Sequence, residues 1–194
     1  MGLGLPWRLC DGRRKSREKV EYCASHNHPA DPSAFVHEID ICRWLLSAEF
    51  ISATVIPCAG IGNSGIADPL LFILEMNNGT VVSAEVFVNA SYGYHVQAEA
   101  VCSNGTVSLA QPALTHSKRG DAEMAGFPPN WIPRFADAYR VQGQAWVDAL
   151  RLGKVSEDAS TSWDGLVATC LAEQIVSALR TWQRTELRLP SRPV

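Results

Sequence analysis

The stretch Leu70-Leu71-Phe72-Ile73-Leu74-Glu75-Met76-Asn77-Asn78-Gly79-Thr80-Val81-Val82-Ser83-Ala84-Glu85-Val86 decides the fold class. Two apolar, partly β-branched runs flank Asn-Asn-Gly, the chemistry of a tight turn between antiparallel strands. A hairpin over 70–76 and 80–89 is therefore expected. Asn78-Gly79-Thr80 and Asn104-Gly105-Thr106 both match the glycosylation sequon, but each reads better as a hairpin turn. The second turn joins an expected strand at 95–102 to one at 106–110. A further β-branched run at 50–56 precedes the first hairpin across a loop rich in Gly, Asn and Ser at 57–68. The pattern is an antiparallel meander. Residues 111–130 carry prolines, glycines and charges without period and are expected to cross the surface as a loop.

Helical periodicity brackets this β region. In 36–46, Val36, Ile39, Trp44 and Leu46 fall at near-helical spacing for burial, while His37, Asp40 and Arg43 lie three apart on a polar stripe. Two longer helices are expected near the end. The first, over 133–152, has Phe135, Tyr139, Ala145, Trp146, Ala149 and Leu150 on one face and Gly153 as its stop. The second opens at Ser160 or Thr161 and buries Leu166, Val167, Thr169, Cys170, Ile175, Val176 and Leu179, with a short strand after it at 185–189. Trp131, Trp146, Trp163 and Trp182 are expected to anchor helix packing. Strands first and helices after give an α+β class: a largely antiparallel or mixed open sheet with helices packed on one face. Residues 35–194 form this domain. Residues 1–34 read as an irregular basic extension, disordered or a truncation scar, because they lack a sustained apolar period and end in Asn-His-Pro-Ala-Asp-Pro-Ser.

Composition limits the function classes. A chain of 194 residues that is 46% hydrophobic can bury one sizeable core, and its formal charge of -3 argues against a nucleic-acid partner, whose phosphates need a concentrated basic surface. Arg8, Arg13, Arg14, Lys15, Arg17 and Lys19 crowd the start, but as a solvated run. No apolar stretch reaches membrane-spanning length, and no apolar segment follows the basic run as a secretory signal would require. A cytoplasmic location is expected. Six cysteines without a Cys-x-x-Cys pair fit reduced thiols. His26 and His28 could donate metal ligands, but no further ligands complete a set at zinc-like spacing, so no metal site is expected.

His37 is the candidate chemical group. Histidine is the side chain whose unperturbed pKa lies near neutrality, so an imidazole at a helix start among carboxylates can shuttle protons. From these residues alone, a histidine that merely caps or hydrogen-bonds is the leading reading. Gly60-Ile61-Gly62-Asn63-Ser64-Gly65 matches the dinucleotide-binding pattern, with Glu85 about twenty residues on where a ribose-binding acid would fall. Its context is wrong. The motif must open a helix, whereas Ile66-Ala67-Asp68-Pro69 leads into another strand, so no cofactor site is expected in this chain.

Three segments resemble a known family. Val36-His37-Glu38-Ile39-Asp40 with Arg43-Trp44-Leu45-Leu46 is similar to the catalytic-histidine helix of the Gfo/Idh/MocA oxidoreductase superfamily. Asn89-Ala90-Ser91-Tyr92-Gly93-Tyr94 with Glu99 and Gly105-Thr106-Val107 resembles its central hairpins, in the form found in inositol 2-dehydrogenases. Arg134-Phe135, Ala138-Tyr139, Gln144-Ala145-Trp146-Val147-Asp148-Ala149-Leu150 and Trp163-Asp164-Gly165 resemble its last helix pair. The resemblance spans about 33–189 and concerns the C-terminal substrate domain.

It implies a two-domain dehydrogenase whose separate N-terminal Rossmann domain, absent from these residues, holds NAD(P). A polyol or sugar hydroxyl is oxidised to a ketone, and the histidine takes its proton. By the resemblance, that histidine is His37. The family's aspartate precedes it by four residues, where Ser33 stands, leaving Asp31 as the nearest carboxylate for the catalytic role and Ser33 as a substrate contact. Tyr92 and Tyr94 approach the polyol, and being two apart they would share one face of a regular strand, with His95 opposite. Glu18-Lys19-Val20 is no counterpart of the family's lysine motif, since it follows a basic run rather than an apolar strand. The expectation is a substrate-binding half, inactive alone and forming homo-oligomers through its sheet face. The alternative is a non-catalytic oligomerisation or partner-binding module.

Overall fold

The Asn77-Asn78-Gly79 turn closes as its residue types dictate. Gly79 takes φ +87°, a left-handed value that glycine adopts without steric cost, and Asn78 Oδ1 accepts from the Thr80 amide at 3.0 Å. The turn joins β3 (Leu70–Met76) to β4 (Val81–Phe87), paired antiparallel from Leu70↔Val86 to Glu75↔Val81. The computed structural model describes residues 19–25, 35–58, 68–88, 90–110, 116–126, 128–156 and 159–192.

A seven-stranded sheet runs in the order β6-β5-β1-β4-β3-β2-β9, adding β1 (Lys19–Ser25), β2 (Phe50–Pro57), β5 (His95–Cys102), β6 (Gly105–Ser108) and β9 (Thr185–Glu186). Every neighbouring pair is antiparallel except β1 with β4. Here the expectation that nothing regular precedes Phe35 fails. Strand β1 lies between β4 and β5 and interrupts the meander those two would otherwise form. Its sequence, Lys-Val-Glu-Tyr-Cys-Ala-Ser, does alternate, but at seven residues behind a basic run the period is too short to stand out. The surface loop expected at 111–130 also contains regular structure, a separate hairpin of β7 (His116–Arg119) and β8 (Ala122–Ala125). Its described side chains are all exposed, so no buried apolar alternation marks these strands.

Two helices cover one sheet face: α1 (Val36–Leu46) and α4 (Ser162–Ala178). The alternate residues Leu70, Phe72, Leu74 and Met76 of β3, with Val82 and Ala84 of β4, form a common core with Ile39 and Leu46 of α1 and Val167, Leu171 and Ile175 of α4. Phe35 stacks on Phe72 with centroids 4.5 Å apart and sets α1 onto the sheet. The inward face of α1 differs from the expected one. Trp44 is exposed and Glu38 is buried; Arg43 is buried as well, because Glu49 and Asp164 beside it neutralise its charge. In α4, Leu166 and Thr169 likewise lie outside, and Ala168, Leu171, Ala172 and Ala178 take the inner positions, their small or flexible side chains allowing close approach.

The long helix expected over 133–152 is two helices. α2 (Trp131–Arg134) is capped by Asn130, whose Oδ1 accepts from the Ile132 amide at 3.0 Å, and Phe135 at φ −120° separates it from α3 (Ala136–Arg151). No residue of α3 is buried. Trp131, Trp146 and Trp182 are exposed too, so of the four tryptophans expected to anchor packing only Trp163 rests against the core. Cys42, Cys58 and Cys170 are free thiols, but Cys102 is disulfide-bonded, contrary to the expectation of six reduced cysteines.

Candidate functional site

Strand register gathers the candidate groups at one end of the sheet. β4 ends at Phe87, which pairs with Ser25, and Ser25 pairs in turn with His95 at the start of β5. Pro57 and Leu70 face each other at the same end. The segment between β4 and β5, which carries Tyr92 and Tyr94, therefore lies there, and Phe35 on Phe72 brings the start of α1 to the same side. The opposite end holds the Asn77-Asn78-Gly79 turn and the exit of α1.

His37 is exposed in the first turn of α1, whose N-cap residue Phe35 offers no side-chain hydrogen bond. Its neighbour Glu38 is buried. Tyr94 is half-buried, its amide donates to the Pro128 carbonyl at 3.3 Å, and its ring meets Phe135 edge-on at 6.3 Å. Burial first, then the negative charge of Glu38 and the nearby Tyr139, hold the Tyr94 phenol above its ordinary value, with Arg134 opposing. Tyr94 is thus a neutral hydroxyl at physiological pH, able to donate and accept. Tyr92 is exposed, its ring tilted at 6.3 Å from Phe87 and edge-on at 6.2 Å from His95.

The tyrosines do not share a strand face. Both precede β5, Tyr92 in a bend and Tyr94 in irregular backbone, so the period of two does not apply, and the ring of Tyr92 goes with His95 while that of Tyr94 goes with Phe135. Asp31 and Ser33, like His26 and His28, lie outside the described residues. Among the described residues, no group of three His, Cys, Asp or Glu is placed to hold a metal.

Sequence reasoning missed Asp68. Buried at this end of the sheet, it accepts from the Val88 amide through Oδ1 at 3.0 Å and pins the exit of β4 toward the tyrosines. An aspartate before proline at a strand start was its only signal. Cys42 is pushed up to about 12 by burial and then by Glu38, which keeps its thiol protonated and unreactive.

The described residues that flank the glycine-rich stretch do not fit a dinucleotide cradle. Gly60 to Gly65 lie outside the described residues, and their flanks, β2 and β3, are adjacent antiparallel strands closed by the Cys58 amide on the Pro69 carbonyl at 3.1 Å. A pyrophosphate cradle needs a strand leading directly into a helix N-terminus. What the described groups can do is bind a hydroxylated ligand and hold or move a proton at His37 or Tyr94.

Comparison with known proteins agrees with this geometry. Residues 33–108 match the GFO/IDH/MocA C-terminal domain family. Inositol 2-dehydrogenase 1 of Saccharopolyspora erythraea is 43% identical over 83% of this chain and 48% of its own length. Inositol 2-dehydrogenase of Pseudomonas fluorescens strain Pf-5 is 33% identical over 98% of this chain and 56% of its own. The chain thus spans about half the length of these curated relatives. Among solved structures, myo-inositol dehydrogenase from Lactobacillus casei, in complex with NAD(H) and myo-inositol, superposes with a TM-score of 0.77 at 24% identity, covering 90% of this chain and 55% of that one. The scyllo-inositol dehydrogenase of the same organism gives 0.77 at 19% identity, over 93% of this chain and 59% of that one. These two likenesses establish the fold. No helix among the described residues is long and apolar enough to cross a membrane. With the α+β sheet, the helix bearing His37 and these relatives in agreement, the chain carries, over residues 33–108, a domain of the GFO/IDH/MocA C-terminal family.

Proposed function

We propose that this chain is the polyol-binding half of an inositol 2-dehydrogenase-type enzyme, a class that oxidises a ring hydroxyl to a ketone with NAD(P). The supporting observation is the gathering of His37, Tyr92, Tyr94 and His95 at one end of the sheet, on an otherwise packed domain. In this reading His37 accepts the proton of the reacting hydroxyl, and the hydroxyls of Tyr92 and Tyr94 orient the ring. Asp31 and Ser33 belong to the same proposal as acid/base partner and substrate contact. In this reading the nicotinamide cofactor is held by residues other than those described. A cytoplasmic location completes the reading; the free thiols speak for it and the disulfide at Cys102 against it.

The test is a titration of myo-inositol into the purified chain, followed by the ring resonances of its histidines and tyrosines. Saturable shifts at His37 and Tyr94 are expected, the Tyr94 shift being lost in His37→Ala. An unchanged spectrum at saturating inositol refutes the reading. A companion titration of NADH, read by nicotinamide fluorescence, should give no saturable binding.

A second reading, self-association through the open sheet face, has its own support. Ile56 lies opposite Leu71 and is exposed, as are Ile51 and Val101. An uncovered apolar face of this kind favours a homo-oligomer. Light scattering that finds a stable monomer at micromolar concentration rejects it.

A further inference from the structure

Among the described residues, Arg43 is an ion-pair centre that joins separate elements, at the end of α1 opposite the candidate site. Its side chain is 7% exposed, and its Nε and Nη2 donate to Glu49 Oε2 and Oε1 at 2.7 and 2.8 Å, a bidentate pair. Its Nη1 lies 3.7 Å from Asp164 and 3.9 Å from Asp40. Each carboxylate is itself tied down. Glu49 exchanges backbone contacts with the turn after β3, its carbonyl accepting from the Asn77 amide at 2.9 Å and its own amide donating to Asn77 Oδ1 at 3.2 Å. Asp164 closes the capping box of α4 with Thr161, and Asp40 accepts from Ser160 Oγ at 2.8 Å. The last two turns of α1 are thereby fastened to one end of the sheet and to the start of α4.

The other end of α1 is built differently. Its first turn lacks a side-chain cap, and it carries His37 exposed two turns before Arg43. A helix transmits position along its axis because its backbone hydrogen bonds resist bending. Fixing the direction of α1 at Arg43 fixes where the imidazole stands. We propose that Arg43 is a positioning residue for His37, acting through the axis of α1 by its simultaneous hold on Glu49 and Asp164. The proposal rests on the assignment of His37 as the acid/base group.

Lysine at 43 keeps the charge but cannot make the two-pronged contact, and Glu49→Gln keeps the shape while removing the charge. Both variants are compared with wild type by urea unfolding, by the His37 ring resonance and by myo-inositol titration. Expected are cooperative unfolding, a displaced or broadened His37 resonance and inositol affinity weakened roughly tenfold. A lowered midpoint with the His37 resonance and affinity unchanged would overturn the proposal, leaving Arg43 purely structural. Should Arg43→Lys fail to fold, Glu49→Gln decides alone. Absence of inositol binding by the wild-type chain refutes the functional reading instead, and the His37 resonance still judges Arg43.

Discussion

Helices α3 and α4 have nearly the same length, 16 and 17 residues, and both carry apolar residues at helical spacing, yet their fates differ. α4 buries Val167, Ala168, Leu171, Ala172, Ile175 and Ala178 against the sheet and α1, whereas α3 buries nothing. The face of α4 is built around small residues that let its backbone approach the strands. That of α3 carries Tyr139, Trp146 and Leu150, all more than half exposed. Periodicity reports that a helix has an apolar face; it says nothing about where the covering surface is. The contrast extends to charge. Arg43 on α1 makes ties between elements, while among the described residues Arg140 and Arg151 on α3 pair with Asp137 and Asp148 of their own helix, in solvent.

The largest expected effect is in α4. Leu171→Ala removes a fully buried side chain and should cost about 3 kcal/mol of stability in urea unfolding, transfer and cavity terms together. A loss below about 1 kcal/mol would mean that α4 is no better packed than α3. Arg43→Met comes next, at about 2 kcal/mol, less than for a fully sequestered pair because its carboxylate partners keep roughly a third of their exposure. The two losses should add only partly, since both act on the contact of α1 with α4.

The same contact gives an acid sensitivity. The Thr161 hydroxyl first, then the Thr161 backbone amide, and more weakly Arg43, hold Asp164 below its ordinary value of 3.8. A carboxyl depressed in the folded state adds stability in full above the unfolded value and loses it as pH falls through the folded one. Stability should therefore decline below about pH 4, and Asp164→Asn should flatten part of that decline in unfolding curves taken across it. Thr161→Ala removes the other half of the capping box and should cost about 1 kcal/mol, measured in the same way.

Strong local chemistry is what made parts of this molecule legible in advance. The Asn-Gly turn, the strand β3 and the opening of α4, expected at Ser160 or Thr161 and capped by Thr161, are each set by neighbouring residues. Strand β1 was hidden because its place is set by partners about sixty and eighty residues away in sequence, and parallel pairing with β4 has no local turn to announce it. The site divides along the same line. His37 was visible from its position at a helix start and from the family resemblance. Burial of Arg43 was not, because a charged residue goes inside only when partners neutralise it, and of these Glu49 lies past the end of α1 and Asp164 in α4. For Tyr92 and Tyr94, the rule of alternation was applied to a stretch that lies outside any strand.

The smallest expected effect is the sharpest test of the opening contrast. Trp146 is the largest side chain on the expected inner face of α3 and is 62% exposed, so Trp146→Ala removes more surface than Leu171→Ala yet little that folding had buried. Its stability cost should stay within about 0.5 kcal/mol, the range of exposed positions away from caps and cores. Alanine also favours the helix slightly more than tryptophan does, which offsets part of any loss. A cost approaching that of Leu171→Ala would show that α3 has found a cover in solution. Its concentration dependence would then identify the cover: a cost that fades on dilution belongs to an association between copies, and one that does not belongs to the chain itself.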